Sequence, residues 1–245
     1  PILEGVLIEA LDDEVRLTAS DGTFTIITTL PATVEDEGDA VMPGRLFNEV
    51  VRKMPSGEVS ANLSHSYVLS LRCLGSRTNI SGQNADAYPR VEVSANDAHI
   101  ELPQSLVKDM ITRTSFAVPM EDQRQVLTGG FFNMQNGQID MVGLDGFRMA
   151  MRTARVSDTE HTVKAIIPLK SLEEIAKLMA DDEESRVEMR FGNNQLFVKL
   201  GSTRLITSLI DGEYIDYRRV IPKSFNTELT VGREEFARCV DRASL

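Results

Sequence analysis

An α+β fold built from a repeated domain is predicted by three features of the sequence. A segment beginning at Leu3 recurs at Leu127, a separation of 124 residues without a gap. Alternating apolar and polar residues predict antiparallel strands in both copies, and apolar stripes with helical spacing follow them. The repeat is a whole domain, because solenoid and propeller units recur every 20 to 50 residues or so.

Each copy is expected to begin with a β-hairpin and a third strand. In the first copy, alternation over residues 6–10 and 15–19 predicts two strands joined by a turn at Asp12-Asp13. In the second copy Asn136-Gly137 supplies the positive φ angles of a tight hairpin turn. Asp-Gly pairs at 21 and 145 then turn the chain into the third strand.

Helices and further strands complete each copy. Apolar stripes predict helices over residues 43–54, 104–114, 168–179 and 232–243, of which the first and third are led by prolines. Further strands are predicted at 59–63, 68–73, 77–81, 187–191, 196–200 and 204–208. A complete copy is therefore expected to have about six strands and two helices, with sheets outside and helices packed on one side.

The repeat also predicts domain boundaries at residues 1–97, 98–223 and 224–245. Residues 236–245 resemble residues 107–116 at an offset of 129, which indicates the start of a third copy. Pro1 corresponds to Gln125, so the 24 residues 101–124 have no counterpart before the first copy. We therefore expect an N-terminally truncated first domain, a complete second domain and a truncated third domain.

Composition is typical of a globular protein. The 245 residues suit two domains, with 42% hydrophobic and 26% charged residues. No apolar run is long enough to span a membrane. Two distant cysteines, Cys73 and Cys239, indicate a reducing compartment, the cytoplasm. A net charge of −11 argues against a protein that coats nucleic acid through its overall charge.

No motif for catalysis, metal binding or nucleotide binding is present in the sequence. The three histidines lie in unrelated contexts, and the acidic run 181–184 lacks the spacing of a calcium loop. No cofactor and no metal are therefore expected. Asp21 and Asp145 leave a duplicated hydrolase as an alternative, although the glycine after each favours a turn.

The predicted helices are more basic than the rest of the chain. They hold ten Lys or Arg and seven Asp or Glu, so the remaining residues carry a net charge of −14. Most of these cations lie off the apolar stripes. They form either ordinary solvated helix faces or a shared basic surface, and repetition favours the shared surface because equivalent helices would line one side.

Five segments carry a resemblance to a known family. They are Pro1-Ile-Leu-Glu-Gly-Val-Leu-Ile-Glu9, Leu127-Thr-Gly-Gly-Phe131, Leu144-Asp-Gly-Phe-Arg-Met-Ala150, Ile167-Pro-Leu-Lys-Ser-Leu172 and Leu209-Ile-Asp-Gly-Glu-Tyr-Ile-Asp-Tyr-Arg-Arg-Val-Ile-Pro222. Together they resemble the bacterial sliding clamp, the DNA polymerase III beta subunit, over essentially the whole chain. The resemblance implies the DNA clamp fold, a head-to-tail dimeric ring and a central hole lined by helices.

The function implied by the resemblance is that of a non-catalytic processivity factor. The ring would enclose duplex DNA without reading its sequence and would slide because its phosphate contacts are weak. The implied partners are the replicative polymerase catalytic subunit, the clamp loader, other proteins with clamp-binding motifs and a second copy of the chain. A clamp-like adaptor that binds peptides without encircling DNA is the alternative.

The resemblance also implies a pocket for partner peptides. Its wall would consist of Leu127, Leu144, Gly146, Phe147, Arg148, Met149, Ile215, Arg219 and Val220. Four of these depart from the family pattern: Leu144 replaces Thr, Phe147 replaces His, Met149 replaces Leu and Ile215 replaces Pro. All four are apolar, so we expect an apolar groove with an altered peptide preference.

Two further sets of residues follow from the same resemblance. The expected DNA-facing cations are Arg45, Arg52, Lys53, Lys108, Arg113, Arg124, Lys170, Lys177, Arg238 and Arg242. Near Arg124, Glu121 replaces a neutral amide. The expected subunit interface is the strand containing Arg77, Thr78, Asn79 and Ile80, where Thr78 replaces a large apolar residue and is expected to weaken the joint.

Overall fold

The structure is a computed structural model that describes residues 2–90, 98–156 and 162–244. The chain divides into two compact units, one that ends at Tyr214 and one that begins at Ile215. The first unit contains both complete sets of hairpins, and the second contains a short 3₁₀ turn and one helix.

The first copy contains seven strands and one helix among the described residues. In chain order these are β1 (Gly5–Leu11), β2 (Glu14–Ser20), β3 (Phe24–Pro31), β4 (Gly38–Pro43), α1 (Gly44–Lys53), β5 (Ser60–Leu63), β6 (Val68–Cys73) and β7 (Ser76–Ser81). The first turn is tight because Asp12 and Asp13 both adopt positive φ angles, 48° and 60°. The predicted hairpin and its turn are thus confirmed.

In its described part, the second copy contains eight strands and two helices. They are β8 (Ala98–Pro103), α2 (Gln104–Thr112), β9 (Gly129–Gln135), β10 (Gln138–Leu144), β11 (Met149–Arg155), β12 (Val163–Pro168), α3 (Leu169–Leu178), β13 (Arg186–Gly192), β14 (Gln195–Leu200) and β15 (Thr203–Ser208). The hairpin turn between β9 and β10 lies at Asn136-Gly137, with φ angles of 52° and 70°, as predicted.

The two copies share one sheet. An eight-stranded antiparallel sheet has the order β4-β1-β2-β3-β15-β14-β13-β8, so β3 of the first copy pairs with β15 of the second. A four-stranded sheet has the order β11-β10-β9-β12, and a three-stranded sheet has the order β5-β6-β7. The fold is therefore α+β with antiparallel sheets, as predicted, and the copies are joined by backbone hydrogen bonds.

The core of the second copy is formed by its two helices and by the strands that pack around them. Val107 and Met110 of α2 and Leu172 and Ile175 of α3 are each at most 2% exposed, and they pack among the inward residues of β8 to β10 and β12 to β15. Phe24 and Ile26 of the first copy also pack against this core. Burial of these apolar side chains is the main stabilising contribution to the unit.

Helix α1 packs less completely than α3, its equivalent in the second copy. Phe47 and Val50 pack on the first-copy core, but no residue of α1 is fully buried. Leu46 and Val51, which belong to the predicted apolar stripe, are 47% and 46% exposed. Helix α3 differs because α2 packs directly against it, and no second helix covers α1 within residues 2–90.

After β7, the chain crosses the face of the first-copy strands opposite α1. Tyr88 is only 3% exposed and packs with Leu7 and Val41, and its hydroxyl lies 3.2 Å from the carbonyl oxygen of Thr18 and 3.4 Å from that of Gly5. Burial raises the pKa of Tyr88, so its proton is retained as a hydrogen-bond donor. The segment is thus held to the sheet as far as Arg90.

Two details of the sequence prediction are wrong. The described residues of the second copy form eight strands rather than about six, because the alternation pattern does not predict the strands that lead into the helices, β8 and β12. Both strands end in proline, which reads equally well as the first residue of a helix. Pro43 and Pro168 are instead N-cap residues, so α1 and α3 each begin one residue later than predicted, whereas α2 begins at Gln104, as predicted.

The second unit contains a 3₁₀ turn, Tyr217–Arg219, and helix α4, Arg233–Ala243. Helix α4 agrees with the predicted helix over residues 232–243. Among the described residues, no helix is long and apolar enough to cross a membrane.

Candidate functional site

The two Asp-Gly turns are held by the aspartate side chains. Asp21 Oδ1 accepts hydrogen bonds from the backbone N–H groups of Thr23, at 3.0 Å, and Phe24, at 2.8 Å. Asp145 Oδ1 accepts equivalent bonds from Phe147 and Arg148, at 3.0 and 2.9 Å. Both carboxylates therefore act in turn formation, which is the role that the following glycines favoured.

These hydrogen bonds lower the pKa of Asp145. The largest contributions come from the backbone N–H groups of Arg148 and Phe147, which stabilise the charged carboxylate. Arg148 Nε adds a hydrogen bond to Asp145 Oδ2 at 2.8 Å. The turn between β10 and β11 is thus well ordered, and it fixes the position of three of the expected pocket residues, Gly146, Phe147 and Arg148.

Expected pocket residues in the first unit lie around the end of the β10–β11 hairpin. Leu144 pairs directly with Met149, and Leu127 precedes β9 in a 3₁₀ turn. Leu127 and Leu144 are buried, with 0% and 5% exposure, whereas Met149 is partly exposed. Leu127 and Leu144 thus form the interior support of this surface, and Met149 contributes to the surface itself.

Phe147 is the most exposed apolar residue of this turn, with its side chain fully accessible. Gly146, beside it, has a φ of 87°, a conformation that favours glycine. The guanidinium of Arg148 lies 5.7 Å from the ring centre of Phe116, which is 60% exposed. The guanidinium of Arg148 therefore lies beside one exposed aromatic ring, and the exposed Phe147 precedes Arg148 in the chain, which suits an apolar ligand with a polar or acidic group.

The remaining expected pocket residues lie in the second unit. Arg219 and Val220 are exposed, and Ile215 is partly exposed. Arg219 Nε lies 2.9 Å from Asp216 Oδ2, so its guanidinium is oriented within its own 3₁₀ turn. These residues are close in sequence and lie on one short segment.

Most expected DNA-facing cations of the first unit have a carboxylate partner. The pairs are Arg45–Glu49 at 3.3 Å, Lys108–Asp181 at 2.7 Å, Arg124–Asp122 at 3.4 Å, Lys170–Asp21 at 2.6 Å, Lys177–Glu174 at 2.8 Å and Arg113–Asp109. Arg52 and Lys53 form no ion pair with any described residue. In the second unit, Arg238 and Arg242 donate to the carbonyl oxygen of Glu234 and to Cys239 Sγ.

Asp109 joins α2 to β11. Its carboxylate accepts from Arg113, the C-cap residue of α2, and from Arg152 Nε at 2.8 Å. The hydrogen bond from Arg113 and then that from Arg152 lower the pKa of Asp109. The local sequence pattern does not predict the contact with Arg152, because nothing in it indicates which strand α2 faces.

The Lys170–Asp21 pair joins the two copies. Burial acts to raise the pKa of Asp21, but the hydrogen bond from Lys170 and those from Phe24 and Thr23 outweigh it and lower the pKa well below its ordinary value. The same bond raises the pKa of Lys170. Lys170 therefore contributes to the junction, a role that its position in the sequence did not indicate.

The expected interface residues occupy β7. Ile80 is buried in the first-copy core, Thr78 is partly buried, and Arg77 and Asn79 are exposed. Strand β7 forms the edge of its sheet and pairs only with β6 among the named strands. Its equivalent in the second copy, β15, pairs on both sides, with β14 and β3.

No group of three or more potential metal-binding side chains occurs in the part of the chain that the structure describes. The acidic segment 181–184 is organised by its own polar contacts: Asp182 accepts from the backbone N–H groups of Glu184 and Ser185. Gln104 fixes the neighbouring residues through hydrogen bonds to Ala180 and Arg186. The segment is thus a hydrogen-bonded loop.

The chain has repeated α+β domains that share a continuous antiparallel sheet. It also has an apolar turn surface and, among the described residues, no catalytic constellation. These features define the class of clamp-like binding proteins. Family profiles agree with this class: the N-terminal domain of the DNA polymerase III beta subunit matches residues 1–92, and its central domain matches residues 101–216. The chain belongs to the DNA polymerase III beta subunit family, whose members are non-catalytic subunits.

Individual relatives agree with the family assignment. The beta sliding clamp of Staphylococcus aureus is 34% identical over 253 residues, which cover 100% of this chain and 67% of that protein. The DNA polymerase sliding clamp of Bacillus subtilis has a similar structure, with a TM-score of 0.95 and 32% identity over 100% of this chain and 67% of that one. The beta subunit from DNA polymerase of Streptococcus pyogenes gives a TM-score of 0.92 and 25% identity over 99% of this chain and 66% of that one.

Proposed function

We propose that this chain is the larger part of a DNA sliding clamp, a processivity factor that encloses duplex DNA and tethers the replicative polymerase. The observation that carries the proposal is the junction between the copies, where β3 and β15 join two domains into one sheet. A protein built from such junctions can close into a ring by repetition alone. Its expected place of action is the cytoplasm, where the bacterial chromosome lies.

The free strand edges support ring closure. Strand β11 occupies the position in the second copy that β3 occupies in the first, and it pairs only with β10 among the named strands. Strand β7 is the first-copy counterpart of β15. Strand β15 pairs with β14 on one side and β3 on the other, whereas β7 pairs only with β6 among the named strands. We propose that a third domain pairs with β11, and that the third domain of a second copy pairs with β7, to give a head-to-tail dimer.

We propose that partner peptides bind at the surface around the β10–β11 turn. This surface offers exposed Phe147, partly exposed Met149 and the guanidinium of Arg148. Ile215, Arg219 and Val220, which the family resemblance assigns to the same function, lie in the second unit. The proposed ligands are short apolar segments of the polymerase, the clamp loader and other clamp-binding proteins, because an apolar groove with a few polar groups suits such peptides.

Retention on circular DNA tests the proposed encirclement. The full-length protein would be loaded onto nicked circular duplex by a clamp loader, and its dissociation would be followed before and after the circle is linearised. We expect long retention on the circle and rapid loss from free ends, because a ring is held by topology rather than by affinity. Equal dissociation from both forms would favour the alternative, an adaptor that binds peptides without encircling DNA.

Substitution of Met149 or Arg219 tests the proposed pocket. We expect Met149→Lys and Arg219→Ala each to weaken binding of a polymerase-derived peptide by about 1 to 3 kcal/mol, the range for residues central to an interface. Leu74→Lys is the control, because Leu74 is 75% exposed in the β6–β7 turn of the first copy. Titration curves that are unchanged for both variants would exclude this surface as the peptide site.

A further inference from the structure

A shallow depression of about 340 Å³ lies on the sheet β5-β6-β7, on the face turned away from α1. Along β6, Ser70 and Arg72 alternate with buried Leu69 and Leu71, which pack toward α1. The residues that line the depression are Ser60, Ala61, Asn62, Ser70, Arg72 and Arg77. Among these described residues there is no carboxylate, so the charge of the depression is that of two arginines.

The two arginines are held side by side. Arg72 lies directly opposite Arg77 in the β6–β7 ladder, and both side chains are exposed. Arg77 Nε donates to Ser70 Oγ at 3.3 Å, and neither guanidinium forms an ion pair with any described residue. Like charges directly opposite each other destabilise a sheet. The pair therefore costs stability unless an anion from outside the chain neutralises it.

The second copy has the same pair of cations beside a carboxylate. Lys199 lies opposite Arg204 in the β14–β15 ladder, and in both hairpins the cation pair is the second residue pair from the turn. Glu188 lies opposite Lys199, at the position where the first copy has Ser60 opposite Arg72. The second copy therefore supplies its own anion, whereas the first copy has a hydroxyl group at that place.

An aromatic ring also fills the second-copy surface. Phe197 lies opposite Ile206, where the first copy has Ser70 opposite Asn79. Phe197 is only 8% exposed, and the guanidinium of Arg190 lies 5.6 Å from its ring centre. The same place in the repeat is thus covered and apolar in the second copy, but open and polar in the first.

The charge and the donors of the first-copy depression suit a phosphate group. Two guanidinium groups supply two positive charges, which match a phosphate monoester of about −1.5 to −2 near pH 7. A single carboxylate would leave one guanidinium unmatched. Guanidinium groups bind phosphate oxygens through paired hydrogen bonds, and Ser60, Asn62 and Ser70 add neutral donors.

We propose that the depression between Arg72 and Arg77 binds a phosphate dianion, either free or as the monoester group of a small ligand, and that its counterpart at Lys199 and Arg204 does not. The site shares no residue with the proposed peptide surface. Its side chains lie on the face of the sheet, whereas the proposed dimer would pair with the backbone edge of β7. The site therefore does not depend on ring closure.

Titration of the 245-residue chain with inorganic phosphate and, separately, with phosphoserine tests the site. Binding would be followed at constant ionic strength by nuclear magnetic resonance of the arginine Nε–H groups. We expect two arginine signals to shift and saturate. Tighter binding of phosphoserine would identify an ester as the occupant, and tighter binding of inorganic phosphate would identify the free ion. Acetate should bind about tenfold more weakly than either, because it engages one guanidinium.

Substitution of the cations compares the two copies. Arg72→Gln and Arg77→Gln should each weaken phosphate binding about tenfold, since each removes a hydrogen bond to a charged group. Lys199→Gln and Arg204→Gln are the matched controls from the second copy, and they should leave the binding unchanged.

Ser60→Glu places in the first copy the carboxylate that Glu188 provides in the second. It should abolish phosphate binding, whereas Ser60→Gln, of similar size and without charge, should retain most of it. The proposal is overturned if the unmodified chain shows no saturable binding, if acetate binds as tightly as phosphate, if the second-copy controls lose as much affinity as the arginine variants, or if Ser60→Glu binds like the unmodified chain. Circular dichroism of each variant checks that the fold is retained.

Discussion

At the scale of single residues, two tyrosines at matching places in the repeat have different hydrogen bonding. Tyr88 packs on Leu7, and its hydroxyl donates to backbone carbonyl oxygens. Tyr214 stacks on Phe131, the counterpart of Leu7, with ring centres 4.7 Å apart. Its hydroxyl is buried and has no hydrogen-bond partner among the described residues, and burial raises its pKa to about 12. The two tyrosines thus differ both in their packing partner and in the hydrogen bonding of their hydroxyls.

This difference predicts opposite responses to one substitution. Tyr88→Phe should lower the free energy of unfolding by about 1 kcal/mol, because it removes a satisfied buried hydroxyl and leaves carbonyl oxygens without their donor. Tyr214→Phe should leave stability unchanged or raise it, since the hydroxyl is desolvated without compensation. Urea unfolding of the two variants checks this. A larger loss for Tyr214→Phe would show that its hydroxyl is bonded in the folded protein.

Gly143 illustrates a second residue-scale requirement. A Cβ atom at this position would collide with the carbonyl oxygen of Thr114 and would lie 2.9 Å from Val118. Gly143→Ala should therefore lower the free energy of unfolding by about 1 to 3 kcal/mol, because backbone must move to admit the methyl group. Gly38→Ala is the matched control: nothing lies within 4 Å of its Cβ position. Similar unfolding midpoints for both variants would contradict the close approach.

At the scale of elements, the junction between the copies combines a strand ladder with an ion pair. Strands β3 and β15 are joined by five residue pairs, from Thr203–Thr28 to Thr207–Phe24. Lys170 Nζ donates to Asp21 Oδ2 beside the end of this ladder. The ladder sets the register of the two domains, and the ion pair adds a contact that depends on pH.

The pH dependence of this junction follows from the two pKa shifts. The lowered pKa of Asp21 means that its contribution is complete above the unfolded value of about 3.9 and is lost as the pH falls toward the folded value. The raised pKa of Lys170 means that its contribution is complete below about 10.4 and is lost at higher pH. In the Asp21→Asn variant, the free energy of unfolding should therefore decrease less steeply as the pH falls below about 4. An unchanged acid unfolding profile would contradict this assignment.

The exposed edge of β7 leads to a prediction for ring closure. Thr78 lies on the same side of the strand as buried Ile80, but it is only partly buried. In the full-length protein, Thr78→Leu should strengthen the proposed dimer, since about 0.8 kcal/mol is gained for each buried methylene group. Analytical ultracentrifugation measures the dimer dissociation constant. Asn79→Gln, an exposed change on the other side of β7, is the control, and equal constants for both variants would argue against this edge as the interface.

At the scale of the whole molecule, the shared sheet couples the unfolding of the two copies in the first unit. Phe24 and Ile26 of the first copy pack against the core of the second. We therefore expect the copies to unfold together, with similar hydrogen-exchange protection in β1–β2 and β13–β14 as urea is added. Phe24→Ala should separate the two exchange profiles, whereas Phe225→Ala, at a side chain 73% exposed in the second unit, should not. Two separate transitions in the unmodified chain would contradict this coupling.

Local patterns in the sequence are sufficient to predict the repeat, the hairpin turns, the helices and the family. These patterns are alternation, helical spacing, Asp-Gly and Asn-Gly turns, and the segment from Leu209 to Pro222. They do not predict β8 and β12, since a proline at the boundary suits the end of a strand and the start of a helix equally. Three features depend on the tertiary structure: the pairing of β3 with β15, the Lys170–Asp21 ion pair, and the lack of an ion pair from Arg52 or Lys53 to any described carboxylate. The physical reason is distance along the chain. Residues 149 positions apart, such as Asp21 and Lys170, leave no periodic signal in the sequence, and their contact arises only when two complete domains join at one sheet.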